Sequence, residues 1–390
     1  MERHRESSSG RWVNLPRVAI VGTGMIGAVH ARAVRAVGAT PAGVLGSTAE
    51  RGAEVARVWD VPVAYPDFDA LLADDGIDVV HLCTPNVLHA AQTEAVLRAG
   101  KHVVCEKPLA TSVADAERVT ALADECGLLL AVPFVYRYHP LVREIAARAR
   151  QGEFGGWHLL HGSYLQDWML PRSAASWRVD PRMGGPSRAF ADIGSHWCDL
   201  VEWVAGVRFG EVVARLATTI GSRPERSAAS FSRETSSSPL VPVRTEDVAT
   251  LLLRTTDGVL GALTVSQVSA GRKNRLWFEL DGTRGSAVFD QENPETAWLG
   301  DERGARIIVR DPGQGSAEQR RLSTLPAGHA QGYADCFTAF VADTYATLAG
   351  GKPEGLPTGA DGVRSARLVE AVLRSNETLS WEAIRGNSAC

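Results

Sequence analysis

The chain has 390 residues, with 41 Lys and Arg against 45 Asp and Glu for a net charge of −4, and 22% of its residues are charged. That length exceeds one ordinary core and fits two domains, and the charge balance excludes a polyanion-binding or basic membrane face, so neither nucleic acid nor membrane is expected as a partner. No apolar run is long enough to span a bilayer; cysteines at 83, 105, 126, 198, 336 and 390 show no CxxC spacing, so free thiols in a reducing cytoplasm are expected, with no metal.

Residues 1–16 are polar and read as a disordered leader. Arg17–Val21 is β-rich and runs into Gly22-Thr23-Gly24-Met25-Ile26-Gly27, after which a helical pattern begins at Ile26, Val29, Ala33 and Val37. Strand, G-x-G-x-x-G and helix in that order predict a dinucleotide site. Gly22 makes the tight turn, Gly24 admits the pyrophosphate to the backbone, and Gly27 lets helix and strand pack. Alternating patterns follow: strands at 41–45, 78–83, 102–105 and 128–132, helices at 49–58, 88–98 and 113–126. The fold class is therefore α/β, beginning with a doubly wound parallel sheet.

The second strand ends without the acid that usually holds the adenosine 2′-hydroxyl. Ser47, Thr48 and Arg51 stand there instead, a set better suited to a 2′-phosphate, so the cofactor is NAD or NADP with a slight lean to NADP. Thr84, Pro85 and Asn86 follow the next buried strand, where Thr84 and Asn86 would touch the nicotinamide ribose, or Asn86 would only cap the helix. After Val103-Val104-Cys105 come Glu106, Lys107 and Pro108, an acid and an amine delivered to the carboxyl edge of the sheet. Proline at 108 is expected to keep Lys107 extended.

From Gln151 the pattern changes to long alternating segments at 157–164, 212–220, 247–255, 259–266, 276–281 and 286–289, with hairpin-like turns. They predict a large, mostly antiparallel open sheet. Residues 222–242, rich in Ser, Arg, Pro and Thr, read as a flexible insertion, and 332–348 and 362–378 as amphipathic helices. Asp192-Ile193-Gly194-Ser195-His196 opens another helix. Four helical steps are about 400° of rotation, which puts Asp192 and His196 on one face, the carboxylate orienting the imidazole. His158 and His161, three apart on a strand, face opposite sides. Arg188, just after Gly184-Gly185-Pro186, either belongs to a reshaped turn or stands at the substrate mouth.

G-T-G-M-I-G-A-V-H at 22–30, T-P-N-V-L-H at 84–89, A-G-K-H-V-V-C-E-K-P at 99–108 and D-I-G-S-H at 192–196 together resemble the glucose-fructose oxidoreductase / inositol dehydrogenase / MocA family. Tyr164 to Trp168 and Ser176-Trp177-Arg178 are similar to its levoglucosan dehydrogenase-like branch, whereas residues 47–51 resemble its NADP-using anhydrofructose reductases. The resemblance implies a Rossmann domain at 17–135 and an α+β substrate and oligomerisation domain at 136–390, in a homodimer or homotetramer. It also implies a dinucleotide contact for His89 and ligand contacts for Tyr136 and Arg137. Gln166, Trp168, Trp177 and Arg178 form a plausible sugar-binding set: aromatic faces for C–H stacking and forked donors for hydroxyls. The expected activity is NAD(P)-dependent oxidation of a secondary hydroxyl of a sugar, glycoside or cyclitol. His196 is the expected base, Lys107 the donor to the reacting oxygen and Asp192 the orienting group; Lys107 and His196 are exchangeable at this level. A redox-assisted glycosidase or a non-catalytic sugar or dinucleotide sensor of the same fold are the alternatives.

Overall fold

The computed structural model describes residues 15–225 and 238–386. The leader, apart from Leu15 and Pro16, and the middle of the 222–242 insertion lie outside the described residues. The first half alternates strand and helix: β1 (Arg17–Val21), α1 (Met25–Ala36), β2 (Thr40–Leu45), α2 (Ala49–Val58), β3 (Val63–Ala64), α3 (Phe68–Leu72), β4 (Val79–Leu82), α4 (Asn86–Arg98), β5 (His102–Cys105), α5 (Val113–Cys126) and β6 (Leu130–Ala131). The six strands pair in parallel in the order β3-β2-β1-β4-β5-β6. That order reverses at β1 and β4, opening a crevice at their carboxyl ends. β1, β4 and β5 are buried along nearly their whole length, which is why they read as short, mostly apolar runs, His81 in β4 being a buried exception.

The second half comprises α6 (Pro140–Arg150), β7 (Trp157–Leu165), α7 (Pro181–Gly184), α8 (Ser195–Ala205), β8 (Phe209–Ala217), β9 (Ser222–Pro224), β10 (Leu240–Pro242), β11 (Val248–Thr255), β12 (Leu260–Ser266), β13 (Arg275–Gly282), β14 (Ser286–Asp290), β15 (Thr296–Asp301), β16 (Gly304–Val309), α9 (Ala317–Leu322), α10 (Tyr333–Leu348), α11 (Gly359–Thr378) and β17 (Glu382–Ala383). Nine strands form one sheet, β16-β15-β14-β13-β7-β12-β11-β8-β17, antiparallel throughout except for the parallel pair β7–β12. Its strict alternation, as in β11, buries one face only. That face packs on α6, α8 and α11 through Ile145, Trp197, Val201 and Leu368. The ends of the insertion are ordered: β9 and β10 pair, and Arg223 is buried against Asp247. Helix α10 packs through Phe337, Phe340 and Tyr345 on the dinucleotide sheet, closing it against the second half.

Candidate active site

The crevice beyond β1 and β4 opens into a cavity of about 880 Å³ that runs from the glycine turn to the edge of the nine-stranded sheet. At its near end Gly22 has φ +106°, and a Cβ there would lie 2.4 Å from the Cys83 carbonyl. A Cβ on Gly27 would lie 2.1 Å from the Gly22 oxygen, so Gly27 serves packing and does not itself line the cavity. Gly24 differs: its Cβ would meet nothing within 4 Å, and its amide-rich turn faces the cavity with Met25 and Ile26. No side chain caps α1 and no acid sits in its first turn, so its N-terminal dipole is left for an anionic bridge. These features fit a dinucleotide pyrophosphate.

At the adenosine end the structure separates the three residues that the sequence grouped. Ser47 lines the cavity. Thr48 caps α2 by accepting from the Arg51 amide, and the Arg51 guanidinium pairs with Glu54 at 2.8 Å, so neither faces the cavity. Further along, Thr84, Pro85, Asn86 and His89 all reach the cavity wall. Asn86 is not the helix cap: Pro85 holds that position, and Asn86 Nδ2 donates to the Gly184 carbonyl at 2.9 Å, tying the two halves across the cleft. The Thr84 hydroxyl donates to Gln92. The His89 ring lies between two carbonyls, Pro108 at 2.7 Å and Thr84 at 2.9 Å, and staples the two loops that carry Asn86 and Lys107. The Lys107–Pro108 peptide is cis.

Lys107 Nζ donates to both the carboxylate and the backbone carbonyl of Asp192, each at 2.7 Å. Gln267 Nε2 donates to the other carboxylate oxygen at 2.8 Å, and Arg178 Nε stands 3.7 Å from the oxygen that Lys107 bonds. Burial pushes the Asp192 carboxyl up, but the Lys107 and Arg178 cations outweigh it and hold it well below the usual range. Asp192 lies in a π-helical turn, Phe190–Gly194, that precedes α8. The rotation expected of a regular α-helix therefore does not apply between 192 and 196, and the hydrogen bonds of Asp192 go to Lys107 and Gln267. Such turns recur at functional sites because they re-aim a side chain.

This segment is set from both ends. One oxygen of Glu246 accepts from Ser187 Oγ at 2.7 Å and from the Arg188 and Phe190 amides at 2.9 Å, capping its start. Further on, Trp197 Nε1 donates to the Trp277 carbonyl at 2.9 Å over Gly162, where any Cβ would strike the indole. His196 sits between these anchors, 8% exposed, with Tyr136 edge-on at 4.9 Å and Phe134 at 5.6 Å. Its Nδ1 is buried without a hydrogen-bond partner. Burial first, then the Lys107 cation, push its pKa well below the ordinary value, which favours the neutral ring, the form from which a base must start.

Beyond His196 the wall is a closed polar network around Asn274, a residue that carries no sequence signal. Asn274 Oδ1 accepts from Tyr164 and Gln166, both at 2.7 Å, and its Nδ2 donates to Tyr136 at 3.2 Å. Trp168 stands behind Gln166, donating to it at 2.9 Å, and does not line the cavity. Trp177 does line it, with Arg178 stacked over its ring at 4.4 Å. Lys273 and Tyr333 complete the wall.

Arg137 is not a ligand contact. It is 3% exposed and ion-paired to Asp199 and Asp361, so the residue that follows Tyr136 serves the core. Arg188 likewise lies away from the cavity, buried against Asp247. Among the described residues, one group with metal-ligand spacing, His161, Glu279 and Asp281, sits on the outer face of the nine-stranded sheet, remote from the cavity.

Fold and cavity define a dinucleotide-dependent oxidoreductase. Residues 16–134 match an oxidoreductase family with an NAD-binding Rossmann fold, and residues 142–288 match the GFO/IDH/MocA C-terminal domain. The chain is 30% identical to levoglucosan dehydrogenase of Pseudarthrobacter phenanthrenivorans over 383 residues, covering 93% of this chain and 97% of that protein. Among solved structures, an oxidoreductase domain protein from Kribbella flavida aligns with TM-score 0.87 at 33% identity, covering 96% of this chain and 100% of that one. Levoglucosan dehydrogenase in complex with NADH and L-sorbose aligns with TM-score 0.87 at 27% identity and the same coverage. The chain belongs to the Gfo/Idh/MocA oxidoreductase family and is an NAD(P)-dependent enzyme acting on CH–OH groups.

Proposed function

We propose that the protein oxidises a secondary hydroxyl of a pyranose-type sugar, glycoside or cyclitol. The observation that carries this reading is the convergence of Lys107, Asp192 and His196 on one cavity whose far wall is lined with Tyr136, Gln166, Trp177 and Asn274. When bound, the nicotinamide supplies the acceptor for the hydride that leaves the ring carbon. Neutral His196 takes the hydroxyl proton as the C–H bond breaks and the C=O bond forms. Lys107, with two of its three donors spent on Asp192, offers the third to the oxygen on which negative charge develops. Asp192 positions that ammonium. Trp177 gives a ring face to sugar C–H groups, and Gln166 and Asn274 present polar edges to hydroxyls.

The reading includes NADP as well as NAD. The Arg51–Glu54 pair is exposed, and such pairs are worth about 1 kcal/mol or less, so a 2′-phosphate could recruit the guanidinium cheaply. The levoglucosan dehydrogenase neighbour, by contrast, was solved with NADH. The test is cofactor reduction by the purified protein across pyranoses, anhydrosugars, glycosides and inositols, with both dinucleotides. Turnover of at least one cyclic polyol is expected. Reduction only with acyclic or non-sugar alcohols would overturn the substrate class.

A further inference from the structure

Four buried titratable groups stand outside the chemistry just described, and they form one continuous chain. Glu106, on the cavity wall beside Lys107, accepts from His30 Nε2 at 3.0 Å; His30 Nδ1 meets His81 Nδ1 at 2.8 Å; His81 Nε2 meets the Tyr345 hydroxyl at 3.0 Å. The four come from separate parts of the chain: α1, β4, the residue after β5 and α10. His30 and His81 are 0% exposed, Tyr345 4% and Glu106 8%.

A neutral imidazole has one donor and one acceptor, and a carboxylate only accepts. With Glu106 ionised, His30 must carry its proton on Nε2 and accept at Nδ1. His81 must then donate from Nδ1 and accept at Nε2, where the Tyr345 hydroxyl donates. Every group is satisfied in this single arrangement, and every donor points toward Glu106. The other Glu106 oxygen takes the Lys107 amide at 3.1 Å. Burial, and then His30, hold the His81 ring well below its ordinary pKa, in keeping with a neutral imidazole at that link of the chain.

We propose that His30, His81 and Tyr345 are positioning residues that hold Glu106 as an oriented carboxylate beside the nicotinamide subsite, so that the protein binds the oxidised, positively charged ring more tightly relative to the reduced, neutral one. The proposal rests on the dinucleotide site described above. His30, His81 and Tyr345 do not line the cavity, so they act on the bound ring only through Glu106. A directional hydrogen-bond chain polarises each member in turn and stabilises negative charge at its accepting end. Removing the Tyr345 hydroxyl unlocks the direction: His81 is then free to shift its proton to Nε2, and His30 can turn a lone pair toward Glu106.

The test is the ratio of dissociation constants for the oxidised and reduced dinucleotide, titrated by tryptophan fluorescence on the wild type and on Glu106→Gln, His30→Gln and Tyr345→Phe. Glu106→Gln should weaken the oxidised form relative to the reduced by about tenfold. Tyr345→Phe should move the ratio about twofold to threefold in the same direction, and His30→Gln should fall between. Should His30→Gln fail to fold, Tyr345→Phe, which loses one hydroxyl, carries the test alone. A ratio unchanged in Tyr345→Phe and His30→Gln while Glu106→Gln shifts it would overturn the chain and leave the site reading intact. Equal weakening of both forms in Glu106→Gln would overturn the charge argument. A wild type that binds neither form would sink the site reading and this proposal with it.

Discussion

The ammonium of Lys107 is held twice by one residue, 2.7 Å from the carboxylate and 2.7 Å from the backbone carbonyl of Asp192, although 84 positions lie between them in the chain. The first residue lies two positions past a strand of one sheet, and the second sits in a π turn facing the other sheet. Their bond is therefore also a tie across the cleft. If Lys107 is the donor to the reacting oxygen, as proposed above, Lys107→Met should lower kcat by about 10²- to 10³-fold. Asp192→Asn keeps the shape and loses the charge, so its loss in kcat should be smaller, about tenfold to a hundredfold. Steady-state kinetics on both variants check the order, and a larger loss in Asp192→Asn would reverse the roles.

Stability should peak near neutral pH and fall on both sides. Burial depresses His81 and His196 and brings His139 to about 4. A depressed histidine contributes fully above its unfolded value of about 6.5, and that contribution is lost as pH falls toward the folded value, about 3 kcal/mol for His139 alone. His89 has the opposite sign. Burial disfavours its charged form, but Cys105 and the two carbonyls outweigh that and raise it to about 9. Its contribution is full below about 6.5 and is lost as pH rises through 9. Melting temperature against pH should show both limbs, and His89→Asn should flatten the alkaline one.

Arg137 separates a core role from a ligand role. Leaving Asp199 and Asp361 without their cation should cost about 3–5 kcal/mol in Arg137→Met. KM for substrate should stay within about twofold, since the guanidinium does not face the cavity. Denaturant melts and KM on the same preparation decide it. A raised KM at unchanged stability would restore the ligand contact that the sequence suggested.

The glycine turn offers a paired test. Gly27→Ala places a carbon about where the Gly22 oxygen stands and should destabilise by several kcal/mol, about 3 or more. Gly24→Ala meets open space, so its melting temperature should hold while dinucleotide affinity falls at least about tenfold. Equal affinity in Gly24→Ala would place the pyrophosphate elsewhere.

What could be read from the chain was what local pattern encodes. Thr40–Leu45, Ala49–Val58, His102–Cys105 and Val113–Cys126 follow directly from short apolar runs, helical periodicity and the Gly127 stop. Gln267, Asn274 and Glu246 carried no such signal. Each becomes informative only when strand pairing brings it to a neighbour, as Gln267 to Asp192. Arg137 misled for the same reason, its partner Asp361 being distant in sequence, whereas Asn86 does reach the cavity and only its capping alternative fails. Asp192 and His196 do face one cavity, but through a π turn rather than regular helical rotation, and Asp192 bonds Lys107 and Gln267 rather than the imidazole. The short strand β16 went unread because it is exposed along nearly its whole length and shows no alternation.

The central claim is that the imidazole of His196, whose buried Nδ1 has no hydrogen-bond partner, takes the substrate proton in a site that Lys107 and Asp192 set. The most direct measurement is single-turnover NAD(P)H formation by His196→Asn, with dinucleotide affinity determined on the same sample. The account predicts a rate lower by about 10²- to 10⁴-fold with dinucleotide affinity within about twofold of wild type. A rate equal to wild type would remove His196 from the reaction.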